Sequence, residues 1–180
     1  VLLLLDYWPL GRWSFAPAPA TGRRGATEPP ARLLLEKLPF LALAALDSFI
    51  TIQTQTAAGD FVLDLPLGAR LLNALVAIPR YLGKFFWPFD LSTAYAHPGW
   101  WPLPFVAGAA LVVVALSVVA WRTRRTLPWI GVGWLWFVGS LAPMSGIVQV
   151  GFQSIADRYT YFPLLGWQLA LLWTLRVYLP

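Results

Sequence analysis

The chain has 180 residues and a formal net charge of +5, yet only 12% of its residues are charged and 58% are hydrophobic. Soluble domains carry about 25% charged residues, so this composition excludes a water-soluble domain, whose surface needs more charge than is available. The chain has no cysteine, which excludes disulfides and thiolate chemistry, and a single histidine, so we expect no metal site. It has no phosphate-binding glycine loop. We also expect no nucleic-acid partner.

The first element is a short apolar run, residues 1–5, which predicts the end of a membrane-spanning helix whose beginning is missing. Because the chain does not begin with Met, we expect a fragment, residues 1–180, of one multi-span membrane domain in a longer protein. A loop rich in Pro, Gly and Ala follows. The basic residues in or beside it are Arg12, Arg23, Arg24, Arg32 and Lys37.

Four longer apolar stretches predict helices that span a membrane. They are residues 38–56, 101–121, 127–141 and 161–178. A helix of ~20 apolar residues crosses a bilayer core of roughly 30 Å. Several Trp residues, Trp101 among them, lie at the edges of these stretches, where aromatic side chains favour the headgroup level. The sequence therefore predicts an all-α fold, a polytopic membrane helical bundle.

Basic residues predict the orientation of this bundle. The first loop is basic, and further arginines follow the stretch 101–121 and end the last stretch. These are Arg122, Arg124, Arg125 and Arg176. Loops rich in Arg and Lys stay in the cytoplasm, so the two remaining loops, residues 57–100 and 143–160, are expected on the outer face.

One acid, Asp47, falls near the middle of the stretch 38–56, with Thr51 and Gln55 following at four-residue steps. An acid at that depth costs about 2.5–3.5 kcal/mol on insertion scales. It could belong to a proton or ion relay, which would favour a transporter, or it could join helices through a polar seam. We favour the seam, because one isolated acid does not make a relay.

Within the first outer loop, residues 68–86 predict an amphipathic helix that lies along the membrane surface. Its polar stripe is Arg70, Asn73, Ala77, Arg80 and Lys84, and its apolar side is Leu71, Leu75, Ile78, Leu82 and Phe85. Such a basic stripe is typical of an anchor on anionic lipid. The alternative is that Arg80 and Lys84 hold the phosphate of a particular lipid substrate.

His97 follows this helix in a segment of Pro, Gly and aromatic residues that predicts turns. Histidine is the side chain that titrates near neutrality when unperturbed, so His97 could act as a general base. The alternative is a loop residue bonded to a nearby carbonyl, and we favour that structural interpretation.

The second outer loop ends in a charged pair, Asp157 and Arg158, directly before the last apolar stretch. Charge beside a membrane is expensive and commonly functional, and a planar guanidinium can bind a phosphate through two parallel hydrogen bonds. The alternative is structural. Asp157 would then cap the following helix, whose dipole favours an anion, and Arg158 would pair with a carboxylate elsewhere.

Residues 156–163 (ADRYTYFP) resemble the acid-Arg-x-x-Tyr-x-Pro element of the transmembrane-and-TPR protein O-mannosyltransferases and their bacterial relatives. Other segments resemble the bacterial members in the same order. They are residues 6–10 (DYWPL), 36–40 (EKLPF), 70–75 (RLLNAL), 80–84 (RYLGK), 87–88 (WP) and 95–99 (YAHPG). Each motif is short, and their shared order over almost the whole chain makes the resemblance specific.

The resemblance implies a polytopic glycosyltransferase of the GT-C type, a hexosyltransferase of the bacterial inner membrane. Such enzymes transfer a sugar from a polyprenyl-phosphate carrier to an extracytoplasmic acceptor, here expected to be a protein Ser or Thr. Members of the family carry TPR repeats after the membrane part, which we expect downstream of this chain. They also place a catalytic acid in their own first outer loop, near the amino terminus of the family's proteins. That region is expected to be missing from this fragment.

This reaction needs cations to neutralise the departing phosphate and a carboxylate to activate the acceptor hydroxyl. The expected lipid-phosphate-binding residues are Arg158, Arg80, Lys84 and Tyr159. Asp157 and His97 are the candidates for catalysis, although Asp157 could instead orient Arg158. Expected partners are membrane lipid, the lipid-linked sugar and an acceptor protein, with no further cofactor. Two other functions stay open, namely a multi-span transporter or flippase and a non-catalytic membrane anchor for a TPR interaction domain.

Overall fold

The computed structural model describes residues 1–13, 28–58, 65–147 and 153–179. Within these ranges the fold is mostly helical, as predicted. The α-helices are α1 (Leu2–Tyr7), α2 (Pro30–Ala58), α3 (Leu67–Phe86), α4 (Leu103–Thr123), α5 (Pro128–Leu141) and α6 (Tyr161–Tyr178). Arg23, Arg24, residues 59–64 of the predicted first outer loop and residues 148–152 of the predicted second outer loop lie outside the described residues.

Two short strands depart from the all-α prediction. Strand β1 (Tyr95–Ala96) pairs antiparallel with β2 (Gln153–Ile155), with a bulge between the two pairs. Strands of two and three residues leave no alternating pattern in a sequence, so periodicity could not reveal them. Among the described residues, two 3-10 helices, Ala142–Met144 and Asp157–Thr160, lie between α5 and α6.

Every predicted apolar stretch overlaps a helix, and one of these helices is suited to a membrane. Among the described residues, α4 alone is both long enough and apolar enough to cross one. It has 21 residues, its most apolar 18 residues have a mean hydropathy of 2.5, and only 11% of that part is buried against the rest of the chain. At ~1.5 Å per residue, α4 is roughly 30 Å long, which equals the thickness of a bilayer core.

The closest helix pair is α5 and α6. A Cβ atom added at Gly133 would lie 2.3 Å from the carbonyl oxygen of Gly166 and 2.6 Å from Cβ of Ala170. The two backbones can touch here only because small residues line the crossing. Farther along the pair, the rings of Phe137 and Trp167 pack with centroids 6.2 Å apart.

Helices α3 and α4 pack onto this pair and complete the core. Its buried members are Ala77, Tyr81, Leu82, Ala120, Trp134, Phe137, Leu141 and Ile155. Because Ile155 belongs to β2 and is fully buried, the small sheet is fixed to one end of the helices. We call this end, which also carries the beginning of α4, the strand end.

The opposite end of the bundle is built around a buried acid, Asp6, which is 2% exposed. Arg12 Nη1 lies 3.0 Å from Asp6 Oδ1, and Lys37 Nζ lies 2.7 Å from Asp6 Oδ2. Arg12 Nη2 also lies 2.8 Å from Glu36 Oε2, and its hydrogen bond lowers the pKa of Glu36. This group joins α1 to the first turns of α2, and we call its end of the bundle the ion-pair end.

Helix α4 finishes at the ion-pair end. The hydroxyl of Tyr7 donates a hydrogen bond to the carbonyl of Arg124, just past the last turn of α4, over 3.2 Å. The indole of Trp8 packs on Trp129 and Trp173, with centroids 5.9 and 5.3 Å apart. Since α4 runs from one end to the other, it separates the two polar ends by roughly 30 Å.

The substitution Asp6→Asn should lower the free energy of unfolding by about 2–3 kcal/mol, since it leaves Arg12 and Lys37 without their buried counterion. The loss falls below that of a fully buried pair because the Arg12 side chain is 34% exposed. Tryptophan fluorescence during chemical unfolding measures it. As a control, Glu28→Gln removes an exposed partner of Arg32 and should cost less than about 0.5 kcal/mol. Equal effects of the two substitutions would contradict the prediction.

Helix α2 leaves the bundle after its first turns. Its large apolar side chains are exposed beyond that point, for example Phe40, Leu43 and Phe49 at 60%, 64% and 60%. Asp47 is exposed on the same helix, and the residues that the structure describes offer it no hydrogen-bond or ionic partner. The polar seam expected at Asp47 is therefore not formed by the described part of the chain.

Candidate functional site

The predicted amphipathic helix exists as α3, but its polar stripe faces the protein. Asn73 and Ala77 are 0% and 1% exposed, whereas Leu71, on the predicted apolar side, is 49% exposed. The prediction that the stripe faces away from the protein, toward lipid headgroups, is therefore wrong for its central residues. The physical reason is that β2 and the residues just before α4 provide hydrogen-bond partners for this stripe, so its polar groups are buried without losing hydrogen bonds.

Two buried side chains fix α3 to the strand end. Asn73 Nδ2 donates to the carbonyls of Ser145 (3.0 Å) and Ser154 (2.8 Å), and Asn73 Oδ1 accepts from Trp101 Nε1 (3.1 Å). The hydroxyl of Tyr81 accepts from the N–H of Ala156 (3.1 Å) and donates to its carbonyl (3.3 Å). Burial raises the pKa of Tyr81 to about 12, so this residue is a neutral tether.

Arg80 is half-buried beside these tethers. Its Nη1 donates to Ser154 Oγ over 3.2 Å, and its guanidinium carbon lies 5.6 Å from the ring centroid of Tyr95 and 5.1 Å from that of Trp101. Aromatic faces attract a cation without neutralising it. Burial lowers the pKa of Arg80, and no carboxylate among the described residues lies within ion-pair distance of it. Arg80 is therefore a held cation that makes no ion pair within the described chain, although the nearby charge of Asp157 favours its protonated form.

Lys84 lies one turn farther along α3. Its Nζ donates to the carbonyls of Phe89 (2.6 Å) and Asp90 and lies 4.9 Å from the centroid of the Tyr95 ring. Asp90 has a φ of 52°, a left-handed conformation that Asp tolerates better than most residues. This turn directs backbone oxygens toward Lys84, which again has carbonyl and ring contacts in place of an acid.

Asp157 holds the loop before β1. Its Oδ2 accepts hydrogen bonds from the backbone N–H of Ser92 (2.6 Å) and the hydroxyl of Tyr95 (2.8 Å). The side chain makes no cap on the 3-10 helix that it begins, so the capping interpretation is wrong. Its Oδ1 is buried and has no partner in the described part of the chain.

Arg158 points elsewhere. It is exposed, and its guanidinium lies 5.3 Å from the centroid of the Tyr159 ring. It makes no ion pair with Asp157 among the described contacts, so the prediction that Asp157 orients Arg158 is wrong. Tyr159 is partly buried and its hydroxyl accepts from Gln153 Nε2 over 2.9 Å. Both residues lie at the strand end, beside the group formed by Arg80 and Lys84.

His97 is fixed by its own turn. Its Nδ1 accepts a hydrogen bond from the N–H of Gly99 over 3.0 Å, so the bonded backbone group is an amide and not the predicted carbonyl. The neutral ring then carries its proton on Nε2, which is buried without a partner in the described residues. Burial lowers the pKa of His97, which keeps the ring neutral.

Because of His97, the free energy of unfolding should decrease as the pH falls. Burial lowers the pKa of His97 in the folded protein from 6.5, so on acidification the unfolded chain binds a proton before the folded protein does. The contribution of His97 to the free energy of unfolding is therefore complete above pH 6.5. It is lost as the pH falls below 6.5 toward the folded pKa. Unfolding curves from pH 8 to pH 5 should show this slope in the wild type and less of it in His97→Asn, whose side-chain oxygen can still accept from Gly99. The same slope in both proteins would contradict the assignment.

An apolar groove lies next to Arg70, between α3 and the end of α5. It has a volume of about 150 Å³ and is lined by Ala74, Leu75, Ile78, Val138, Leu141, Ala142, Ser145 and Ile147. Arg70 stands at its rim, where Nη1 donates to the carbonyl of Ile147 over 3.3 Å and the buried Nε has no partner in the described chain. A cation thus borders an apolar surface.

The ion pairs of the described residues all belong to the ion-pair end. The strand end collects four cations, Arg70, Arg80, Lys84 and Arg158, and holds them with carbonyls, a hydroxyl and aromatic rings. No three His, Asp or Glu side chains in the described ranges come together as metal ligands. What this arrangement can do chemically is attract and bind an anion.

Sequence reasoning identified the cations but missed the residues that support them. Asn73 was assigned to a polar surface, and Trp101 to the headgroup belt, while Tyr95 carried no role. A usable signal was the density of aromatic residues that follow two basic residues on one helix, since cations commonly pair with ring faces. Comparison of the chain with protein-family models, with curated proteins and with solved structures finds no match.

Proposed function

We propose that the chain is part of a GT-C type membrane glycosyltransferase. It would take a sugar from a polyprenyl-phosphate carrier and transfer it to an extracytoplasmic acceptor, a protein Ser or Thr. Support comes from α4, whose length and hydropathy suit a bilayer, and from the cations at one end of it, which make no ion pair among the described residues. The motif resemblance of residues 156–163 supports the same class.

One observation carries the proposal, namely the half-buried guanidinium of Arg80, which makes no ion pair with a carboxylate of the described residues and has only the more distant Asp157 to favour its charge. Burying a charge is costly unless a partner offsets the lost hydration, and the lowered pKa of Arg80 reflects that cost. A phosphate bound at Arg80 would supply the missing negative charge through charge-assisted hydrogen bonds. The fold therefore maintains a charge whose natural complement is an anion from outside the chain.

In this proposal the strand end is extracytoplasmic and the protein belongs to the bacterial inner membrane. Arg80 and Lys84 receive the lipid phosphate, and the exposed Arg158, whose guanidinium lies against the Tyr159 ring, adds charge from the open side. The apolar groove beside Arg70 accommodates part of the prenyl chain. Developing negative charge on the leaving phosphate is stabilised by these preorganised cations.

Asp157 is the carboxylate of this group. Its buried Oδ1 is unpartnered in the described chain and would accept a hydrogen bond from a sugar or acceptor hydroxyl. The family resemblance places the main catalytic acid in a loop near the amino terminus of the family's proteins. In this proposal that acid would come from a part of the parent protein outside this chain. TPR repeats would follow the membrane part.

Reconstitution of the full-length protein in liposomes with a radiolabelled polyprenyl-phosphate sugar tests the proposal. A glycosyltransferase moves the label from the organic phase into an added Ser- and Thr-containing acceptor peptide. A flippase moves the labelled lipid between leaflets and leaves it extractable, and an anchor does neither. Either of the latter two outcomes would overturn the proposed transfer.

A further inference from the structure

Asn73 connects two of the three described groups that contact Arg80. One donor of its amide fixes the carbonyl of Ser154, and its oxygen accepts from the indole of Trp101. The same two residues then contact Arg80, through the Ser154 hydroxyl at 3.2 Å and the Trp101 ring at 5.1 Å. Two of the three described contacts of Arg80 therefore originate at one amide that is 0% exposed, and the third is the Tyr95 ring.

The chemistry of an amide is required at this position. Asn73 uses two N–H donors and one carbonyl acceptor at once, a combination that only Asn and Gln side chains offer. A carboxylate lacks the donors, and an apolar side chain of the same size lacks all three contacts. Because every polar atom of Asn73 is bonded within the protein, the residue has nothing left to offer a ligand.

The orientation of the Ser154 hydroxyl completes the arrangement. Its proton goes to the carbonyl of Tyr95 over 3.2 Å, so a lone pair of Oγ faces Nη1 of Arg80. This orientation depends on the position of β2, which the bond between Asn73 and the Ser154 carbonyl sets. The plane of the guanidinium is thus fixed by a ring on one side and by an acceptor at its edge.

We propose that Asn73 is the positioning residue of the anion site. It holds Trp101 and Ser154 so that Arg80 presents its free N–H groups in one geometry, and it never touches the ligand. This inference rests on the proposed function, since it gives Arg80 the role of binding the phosphate.

A double-mutant cycle on the full-length protein in detergent tests this role, with farnesyl phosphate as the probe and its Kd as the readout. Arg80→Gln should weaken binding about 10-fold or more, and Asn73→Leu about 5–10-fold, as expected for lost charge-assisted contacts. Because Asn73 acts through Arg80, the double variant should bind no more weakly than Arg80→Gln alone. Additive effects would overturn the positioning role.

A second variant keeps the test decisive if Asn73→Leu does not fold. Trp101→Phe retains a smaller aromatic ring beside Arg80 and removes the Nε1–H that bonds Asn73, so binding should weaken about 3-fold or more, the size of one hydrogen bond with some loss of ring contact. Tyr81→Phe is the matched control, because it removes another buried tether between α3 and the segment after β2 without a bond to Arg80. Its affinity should equal that of the wild type while its stability falls.

The outcomes separate the two claims. If wild-type protein does not bind farnesyl phosphate, or if Arg80→Gln binds it as well as the wild type, the anion site itself is overturned. If Arg80→Gln weakens binding but Asn73→Leu and Trp101→Phe do not, the anion site stands and the positioning role is overturned. If Tyr81→Phe weakens binding as much as Trp101→Phe, Asn73 is a general structural tether and the inference fails.

Discussion

Under the proposed function, Arg80→Gln in the full-length protein should reduce sugar transfer by at least about 100-fold, the usual scale for the loss of one preorganised group that stabilises developing charge. Gln is uncharged and two bonds shorter than Arg, so the charge and the hydrogen bond from Nη1 to Ser154 are lost together. Initial rates at matched membrane abundance measure the effect. The amount of inserted protein should stay unchanged, because the half-buried charge opposes folding more than it favours it.

Two further variants sharpen this test. Arg80→Lys retains the charge but not the planar fork, and it should fall between the wild type and Arg80→Gln. Arg122→Gln removes an exposed arginine in the last turn of α4, at the opposite end from the site, and should transfer sugar at the wild-type rate. Equal rates for Arg80→Gln and Arg122→Gln would remove Arg80 from the reaction.

Gly133→Ala should lower the free energy of unfolding by about 3 kcal/mol or more, at the upper end for overpacking. The new methyl would meet the backbone carbonyl of Gly166 at 2.3 Å, and a helix backbone cannot move aside as a flexible side chain can. At roughly 2–4 °C per kcal/mol for a chain of this size, Tm should fall by about 6–12 °C. Circular dichroism during heating measures this change.

The same helix contains a matched control. Gly139 also lies in α5, but a Cβ there would meet nothing within 4 Å. Gly139→Ala should therefore raise stability slightly, since Ala is about 1 kcal/mol more favourable than Gly within a helix. A Gly133→Ala protein as stable as Gly139→Ala would show that the α5–α6 contact is looser than described.

The helices could be predicted because their apolar runs are long, whereas the orientation of α3 could not. A helical pattern sorts polar from apolar residues but does not tell which side meets the protein. Asn73 is buried because its partners Ser145 and Ser154 come from 72 and 81 positions away. Nothing local to α3 indicates those partners.

The charged pair of the second loop illustrates a different limit. Asp157 and Arg158 are neighbours in sequence, and adjacency led to the prediction that one orients the other. In a 3-10 helix, with three residues per turn, neighbours point about 120° apart. Asp157 accordingly turns toward Ser92 and Tyr95, and Arg158 turns outward to the ring of Tyr159. Proximity along the chain is therefore a poor guide where the backbone winds tightly.

The use of rings and carbonyls in place of acids to hold Arg80 has a practical consequence. An anion that bound at the proposed site would break no ion pair of the described residues and would offset the cost of burying the charge of Arg80. The melting temperature would therefore rise with the fraction of protein that has an anion bound. A ligand present at 100 times its Kd adds about 2.7 kcal/mol of stability. Phosphate or sulfate in a purification buffer would then already act as a partial substitute, and melting curves recorded in such buffers would overstate how robust the empty protein is.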